Sequence, residues 1–317
     1  MQVQPSFREI PPYELASYLL RASGQEEGDA VNPAPILELL GLTHLSLNFA
    51  ADLPEAVSAS GERPRALISF PERVIATDRE LSAPRARLST FHEIAHYVLP
   101  DQVESIVLCT ARDLSHFARS AREQGANAFA ADLLFHGVRF LLEANRSPIC
   151  AATVKQLAHK YLASYEATAR RLVEKNLRPC MLVVYTPIAD DKRIDIGQEP
   201  RWDVRYSVPS PTFSRLYFAR LRSNVDNPYV IEAATADRDI AESVTAKQAA
   251  RLPDGRTIHF QMEYFFNQHN VFCLLQPVSE AIARRLAVAA GADRRGALPA
   301  RAGSAGEAGG ACGGVAG

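Results

Sequence analysis

Residues 92–96 read His-Glu-Ile-Ala-His, and few five-residue stretches restrict a fold so tightly. On an α-helix, residues four apart lie one turn apart on the same face. His92 and His96 can then offer two imidazole nitrogens to one metal ion, with Glu93 beside them as general base toward a water on that metal. The flanks agree with a helix over 84–99. Leu88, Phe91, Ala95, Val98 and Leu99 make an apolar face at helical spacing, and Pro100 stops the pattern. A bare H-E-x-x-H also arises by chance, with two surface histidines, so the rest of the chain must supply the context.

Upstream, residues 12–20 and 33–40 have helical spacing, with Gly41 as the stop of the second helix. Residues 43–49 alternate, which predicts a strand with Leu45, Leu47 and Phe49 on one face. His44, on the polar face, is expected to be structural. Residues 65–70 and 74–77 read as two more short strands joined tightly through Pro71-Glu72-Arg73. A strand edge beside the motif helix could hold a peptide in extended form.

A catalytic zinc site has three protein ligands and one open position. The third candidate is Glu123. It shares a helical face with Ala126, Asn127, Ala130 and Leu134. The small residues on that face permit close approach to another helix, which would bring Glu123 to His92 and His96. Asn127, one turn on, could hydrogen-bond a ligand or the substrate backbone. An isolated Glu on such a helix is otherwise a surface residue. His116 and His136, nearby in sequence, read as surface or packing residues, and His159, His259 and His269 lack ligand spacing.

Taken together, Arg85-x-Arg87-Leu88-Ser89-Thr90-Phe91-His92-Glu93-Ile94-Ala95-His96-Tyr97 and Glu123-x-x-Ala126-Asn127-x-Phe129-Ala130-Ala131-x-Leu133-Leu134 resemble the ImmA/IrrE family of metallopeptidases. The resemblance covers roughly residues 30–140. It implies a zincin-like, mainly helical metallopeptidase domain with a small β-sheet, His92, His96 and Glu123 as ligands of Zn2+, and Glu93 as the base. It also implies limited cleavage of a partner, typically a helix-turn-helix repressor. The chain departs from the pattern at Ala95, where the family often has Gly, and at Leu133-Leu134-Phe135-His136, where it often has Leu-Leu-Met-Pro. Without a proline at 136 the helix is expected to run on through Val138, Phe140 and Leu141. Tyr97 or a histidine could stabilise an oxyanion.

Residues 153–174 have the pattern of a helix-turn-helix, with Ser164 as N-cap of the second helix. Tyr165, Thr168 and Arg171 could face a DNA groove. The segment is locally basic, but the whole chain carries a formal charge of −1, which gives little general attraction to phosphate. A packing role is favoured over DNA binding.

Beyond Pro179 the texture becomes strand-like. Residues 180–185, 201–208 and 229–233 are strand candidates, 235–250 a helix, and 257–266 with 270–276 a hairpin turning at Asn267-Gln268-His269. Position and texture resemble the GAF-type sensor domain that follows the peptidase in some members. The aromatics Tyr264, Phe265, Phe266 and Phe272 read as core rather than as a ligand pocket. Residues 278–290 read as a short helix. Residues 291–317 hold nine of the 17 glycines and read as a disordered tail.

The expected architecture is α+β: a metallopeptidase domain over 1–145, a helix-turn-helix-like segment over 146–178, an α+β, sensor-like domain over 179–290, and the tail. The chain opens without a basic start and apolar core, and no apolar run has membrane-spanning length. Its five cysteines are scattered, with no C-x-x-C pair. A cytoplasmic setting is expected, with a protein substrate and no membrane partner. The rival reading is a DNA-binding or ligand-sensing transcriptional regulator on a peptidase-like scaffold.

Overall fold

Punctuation in the sequence sets the first elements. Pro12 opens helix α1 (Pro12–Ala22) and Pro33 opens α2 (Pro33–Leu40), each at a position where a missing N–H costs nothing. Asn32 caps α2 through its side chain, and Gly41 ends it in the left-handed conformation at φ 64°. In the computed structural model, residues 10–27, 30–53, 63–99, 105–115, 118, 120–188, 201–217, 228–235, 243–251 and 257–278 are described. Contacts divide the chain into two compact units. One comprises Met1–Glu143 with Gln156–Arg171, and the other Ala144–Lys155 with Leu172–Gly317.

The first unit holds a four-stranded sheet in the order β1-β3-β2-β4, built from β1 (Thr43–Leu47), β2 (Pro64–Ser69), β3 (Val74–Asp78) and β4 (Ile106–Thr110). β1 runs parallel to β3, and the other pairs are antiparallel. β1 is an edge strand and mostly exposed, so its alternation marks a strand without a buried face: Leu45 is exposed. Phe49 does not extend β1. Asn48 caps a single helical turn, α3 (Phe49–Asp52), which buries Phe49 instead. His44 is structural, its Nε2 lying 3.0 Å from Thr77 Oγ1. The turn at residues 70–73 connects β2 to β3 as expected.

Helix α4 (Ala83–Val98) packs on β2 and β3 and carries the histidine motif. It ends at Leu99, whose extended backbone suits a residue before proline; Pro100 itself lies outside the described residues, as do His116 and residues 279–317. Helix α5 (Ala121–Leu134) packs against α4. The expected continuation of α5 does not occur. His136 (φ 53°) and Gly137 (φ 46°) both turn left-handed, and the Gly137 N–H donates to the Asp132 carbonyl at 2.8 Å. A left-handed residue with such a bond is a common way to close a helix. A new helix, α6 (Val138–Arg146), starts directly after them.

Helices α7 (Ala151–Tyr161) and α8 (Tyr165–Glu174) follow the expected pattern, and Ser164 Oγ accepts from Ala167 N at 3.1 Å. Phe135 and Phe140 each meet Tyr161 edge-on in the first unit, and Tyr161 Oη donates to Glu143 at 2.5 Å. The Arg87 guanidinium ties three segments of this unit together. It donates to the carbonyls of Val31, Tyr161 and Leu162 and lies over the Phe91 ring.

The second unit is built on a five-stranded antiparallel sheet in the order β6-β5-β9-β8-β7. Its strands are β5 (Met181–Pro187), β6 (Trp202–Pro209), β7 (Val244–Arg251), β8 (Thr257–Phe266) and β9 (Val271–Pro277). Register builds rows across the sheet, such as Val183, Cys273, Tyr264 and Val244. These residues form the core with Phe213 of helix α9 (Pro211–Tyr217) and with Val230 and Ala233 of helix α10 (Pro228–Thr235). The expected aromatic core is present: Tyr264, Phe265 and Phe272 are buried, and the last two stack at 5.1 Å.

Two expectations fail in this unit. Residues 229–233 form helix, not strand: Pro228 opens it, and Val230 and Ala233, three apart, face the sheet. Residues 244–251 form strand β7, not helix. Their alanines favour a helix in isolation, but pairing along β8 from Val244 to Arg251 overrides that preference. Glu263, midway along β8, accepts from the Ala151 N–H at the start of α7 (3.1 Å) and from Ser243 Oγ (2.5 Å). Among the described residues no helix is long and apolar enough to cross a membrane.

Candidate metal centre

The α4–α5 pair places the predicted site residues together. His92 and His96 lie fully buried on one face of α4, ring centroids 4.6 Å apart. Glu123 reaches them from the first turn of α5. Its Oε2 lies 3.0 Å from His92 Nε2 and 3.2 Å from His96 Nε2, while the two Nε2 atoms are 3.0 Å apart. Ala126 and Ala130 are buried on α5, and Ala95 on α4. These small residues permit the close approach that the spacing predicts.

The entry of α5 explains how Glu123 is aimed. Ser120-Ala121-Arg122-Glu123 has the spacing of a capping box. Only half of that box is made: Ser120 Oγ accepts from Glu123 N at 3.1 Å. The Glu123 carboxylate turns to the imidazoles instead of back to the helix end.

Asn127 adjoins the His92 side chain, as expected of a residue beside a ligand, and it does more. Its amide donates to the carbonyls of Asp113 (2.6 Å) and Ser115 (3.3 Å) and so anchors the turn after β4 to the ligand helix. Tyr97, a candidate oxyanion donor, stacks its ring on Phe70 under the Arg73 guanidinium. His136 is buried near Tyr161. His159, His259 and His269 are exposed.

One member of the cluster escapes the sequence reading. Cys109 on β4 is fully buried, and its Sγ lies 3.5 Å from His96 Nε2. Ligand atoms of His92, His96, Cys109 and Glu123 all lie within 4.8 Å of one another. The available signal is alternation: Ile106-Val107-Leu108-Cys109-Thr110 reads as a strand that turns Val107 and Cys109 to one face.

Protonation suits a cation. Burial pushes Glu123 up, but the hydrogen bonds from His92 and His96 outweigh it and hold the carboxylate well below its ordinary range. Burial lowers His92 against the opposing pull of Glu123. Burial raises Glu93 to about 8. Apart from the weakly donating Cys109 thiol beside it, neither Glu93 oxygen has a partner. Neutral imidazoles and an ionised carboxylate are the forms a divalent metal binds. Four N, O and S donors placed tetrahedrally around zinc stand about 3.3–3.6 Å apart; the three separations among His92, His96 and Glu123 are 3.0–3.2 Å, that from Cys109 to His96 is 3.5 Å, and all four ligand atoms lie within 4.8 Å of one another. The cluster can hold a metal ion.

Two histidines one turn apart on α4, a glutamate from α5 and the flanking sheet thus build one buried donor cluster. Residues 52–173 match the family model of the IrrE N-terminal-like domain, a peptidase family, so the resemblance carried by the paired motifs holds over that segment. No curated protein matches the chain. Among solved structures, a Mycobacterium tuberculosis transcriptional regulator is similar at 15% identity and a TM-score of 0.44, covering 85% of this chain and 89% of that one.

Proposed function

We propose that the chain is a zinc-dependent peptidase of the ImmA/IrrE type, making a site-specific cut in a regulatory protein, with helix-turn-helix repressors as the substrate class. One observation carries this reading. A fully buried glutamate, Glu93, with no partner for its oxygens beyond the weakly donating Cys109 thiol, adjoins the His92–His96–Cys109–Glu123 cluster. An unsatisfied buried carboxyl is costly and persists where function requires it.

In this reading His92, His96 and Glu123 hold the ion. Zinc bound there acidifies water and polarises a peptide carbonyl. Glu93 accepts the proton and returns it to the leaving amine. In the metal-free protein burial keeps Glu93 protonated to about pH 8; a neighbouring dication favours the ionised form, which is the form a base needs. The second compact unit is assigned a sensor-like role, and the setting is cytoplasmic.

The DNA-binding alternative meets an obstacle in α8. Thr168 and Arg171, two of the three residues placed to read a groove, are buried. Thr168 Oγ1 donates to the Ser164 carbonyl at 2.8 Å, and Arg171 pairs with Asp132. Both are engaged in packing.

The test is a cleavage assay on any helix-turn-helix repressor found encoded beside this gene, with zinc, using the unmodified chain and Glu93→Gln. A discrete cut made only by the unmodified chain is expected. Removal of the general base should lower the rate at least about 100-fold. A cut made equally by Glu93→Gln overturns the assignment.

A further inference from the structure

We propose that Cys109 is a fourth protein ligand of the metal centre, its sulfur occupying the position a catalytic zinc leaves open, so that the native chain cuts slowly, each turnover waiting on displacement of that sulfur. The inference rests on the peptidase reading above and adds a mode of regulation to the same site.

Three observations place the sulfur there by design of the fold. The first is strand alternation. β4 exposes Ile106 and Leu108 and buries Val107 and Cys109, and its pairing with β2 sets Cys109 beside Ala66, which is fully buried. The side chain therefore points off the sheet toward α4. The second is its surroundings. A buried cysteine is ordinarily a small hydrophobe among apolar neighbours. Here the thiol adjoins the Glu93 carboxyl and stands 3.5 Å from His96 Nε2, a separation expected for sulfur and nitrogen on one tetrahedral zinc.

The third is the bracing. The strand is followed by a turn in which Asp113 accepts from Thr110 N (2.9 Å) and Thr110 Oγ1 (2.8 Å). Asn127, on the helix that carries Glu123, holds the same turn through the Asp113 and Ser115 carbonyls. The sulfur and the glutamate ligand are thus tied to each other through one short hydrogen-bonded path. Outer contacts of this kind fix ligand orientation. The fully buried Glu93 carboxyl, with the weakly donating Cys109 thiol beside it, makes the same spot polar.

The chemistry follows from the donor set. Two histidines and one glutamate leave a position for water; a cysteine added to them closes the coordination sphere, as in structural zinc sites. Binding the ion releases the thiol proton to solvent. Opening the site requires only exchange of the thiolate for water, in which the sulfur takes a proton back. No oxidant enters the step.

The experiment uses the full chain loaded with Co2+, whose bond to a thiolate gives a near-ultraviolet charge-transfer band. Native chain, Cys109→Ser and His92→Ala are compared by absorption and by metal content. The expected result is a thiolate band at one cobalt per chain in the native protein. In Cys109→Ser the band is lost while cobalt is retained and far-ultraviolet circular dichroism is unchanged. With zinc, Cys109→Ser should cut the repressor faster than the native chain. Stoichiometric cobalt without the band overturns the fourth-ligand proposal and leaves the peptidase reading standing. A band that survives in Cys109→Ser also overturns it, since the sulfur is then another cysteine. Failure of the native chain to bind cobalt, or full binding by His92→Ala, overturns both.

Discussion

A buried carboxyl and a half-buried guanidinium near the site have opposite consequences for stability. Glu93 is protonated in the metal-free folded chain up to about pH 8, against an ordinary value of 4.5. Below pH 4.5 it is neutral both folded and unfolded, so burial carries no titration penalty. As pH rises, the unfolded chain ionises first and stability falls, until the folded group ionises near pH 8. Glu93→Gln removes that loss. In chelator-treated protein the variant should therefore be more stable than the native chain by about 3 kcal/mol at about pH 7, with the gap closing near about pH 4. Urea titrations at the two pH values measure this; a gap that does not change with pH would contradict it. Arg87 works the other way. Burial lowers it to about 10, so it stays charged at neutral pH while bonding three backbone carbonyls. Arg87→Ala should cost about 3 kcal/mol. Arg87→Lys should recover little of it, because a single ammonium cannot reproduce the planar fork. The urea midpoint of the two variants is the readout.

At the level of elements, the two motif helices are legible because their signals are local. Histidines four apart, and a glutamate on one face with a row of alanines, declare themselves within a few residues. What is not legible depends on distant partners. Cys109 is one of five scattered cysteines until β4 is recognised as a strand. Val244–Arg251 looks helical until β8 lies beside it, and the β-branched Val230 and Ile231 suggest a strand until Pro228 and the sheet beneath them are considered. The end of α5 eludes the sequence for a subtler reason: a proline's absence reads as continuation, although His136-Gly137 stops a helix through backbone sign alone. That stop has a measurable cost when blocked. A methyl group at Gly137 would meet nothing closer than the Asp132 carbonyl oxygen at 3.9 Å, so space is not limiting. Its φ of 46° alone should make Gly137→Ala destabilising by about 1–2 kcal/mol, measurable as a lowered midpoint with unchanged denaturant slope.

Across the whole molecule, the donors of the cluster come from α4, β4 and α5, which are separated along the chain and meet only in the folded first unit. An ion that binds all of them binds the folded state and not the unfolded one. At zinc about a hundredfold above its Kd, the linkage is worth about 2.7 kcal/mol. Hydrogen exchange should show where it acts. Amides of α4, β4 and α5 should slow on adding zinc, whereas those of β5 and β9, whose residues lie outside the first unit, should keep their metal-free rates. Uniform slowing over both units would contradict a site confined to the first.

Glu263 carries a consequence of another kind. One carboxylate in the middle of β8 receives the first amide of α7. Side chains on a strand alternate faces, so a slip of β8 by one residue against β9 would swing Glu263 to the opposite side and present Met262 to that amide. Strand register and helix start are therefore a single choice. A chain that misaligned the sheet would also leave a helix end without its counter-charge, and a local error would be registered at once in a segment far removed along the sequence.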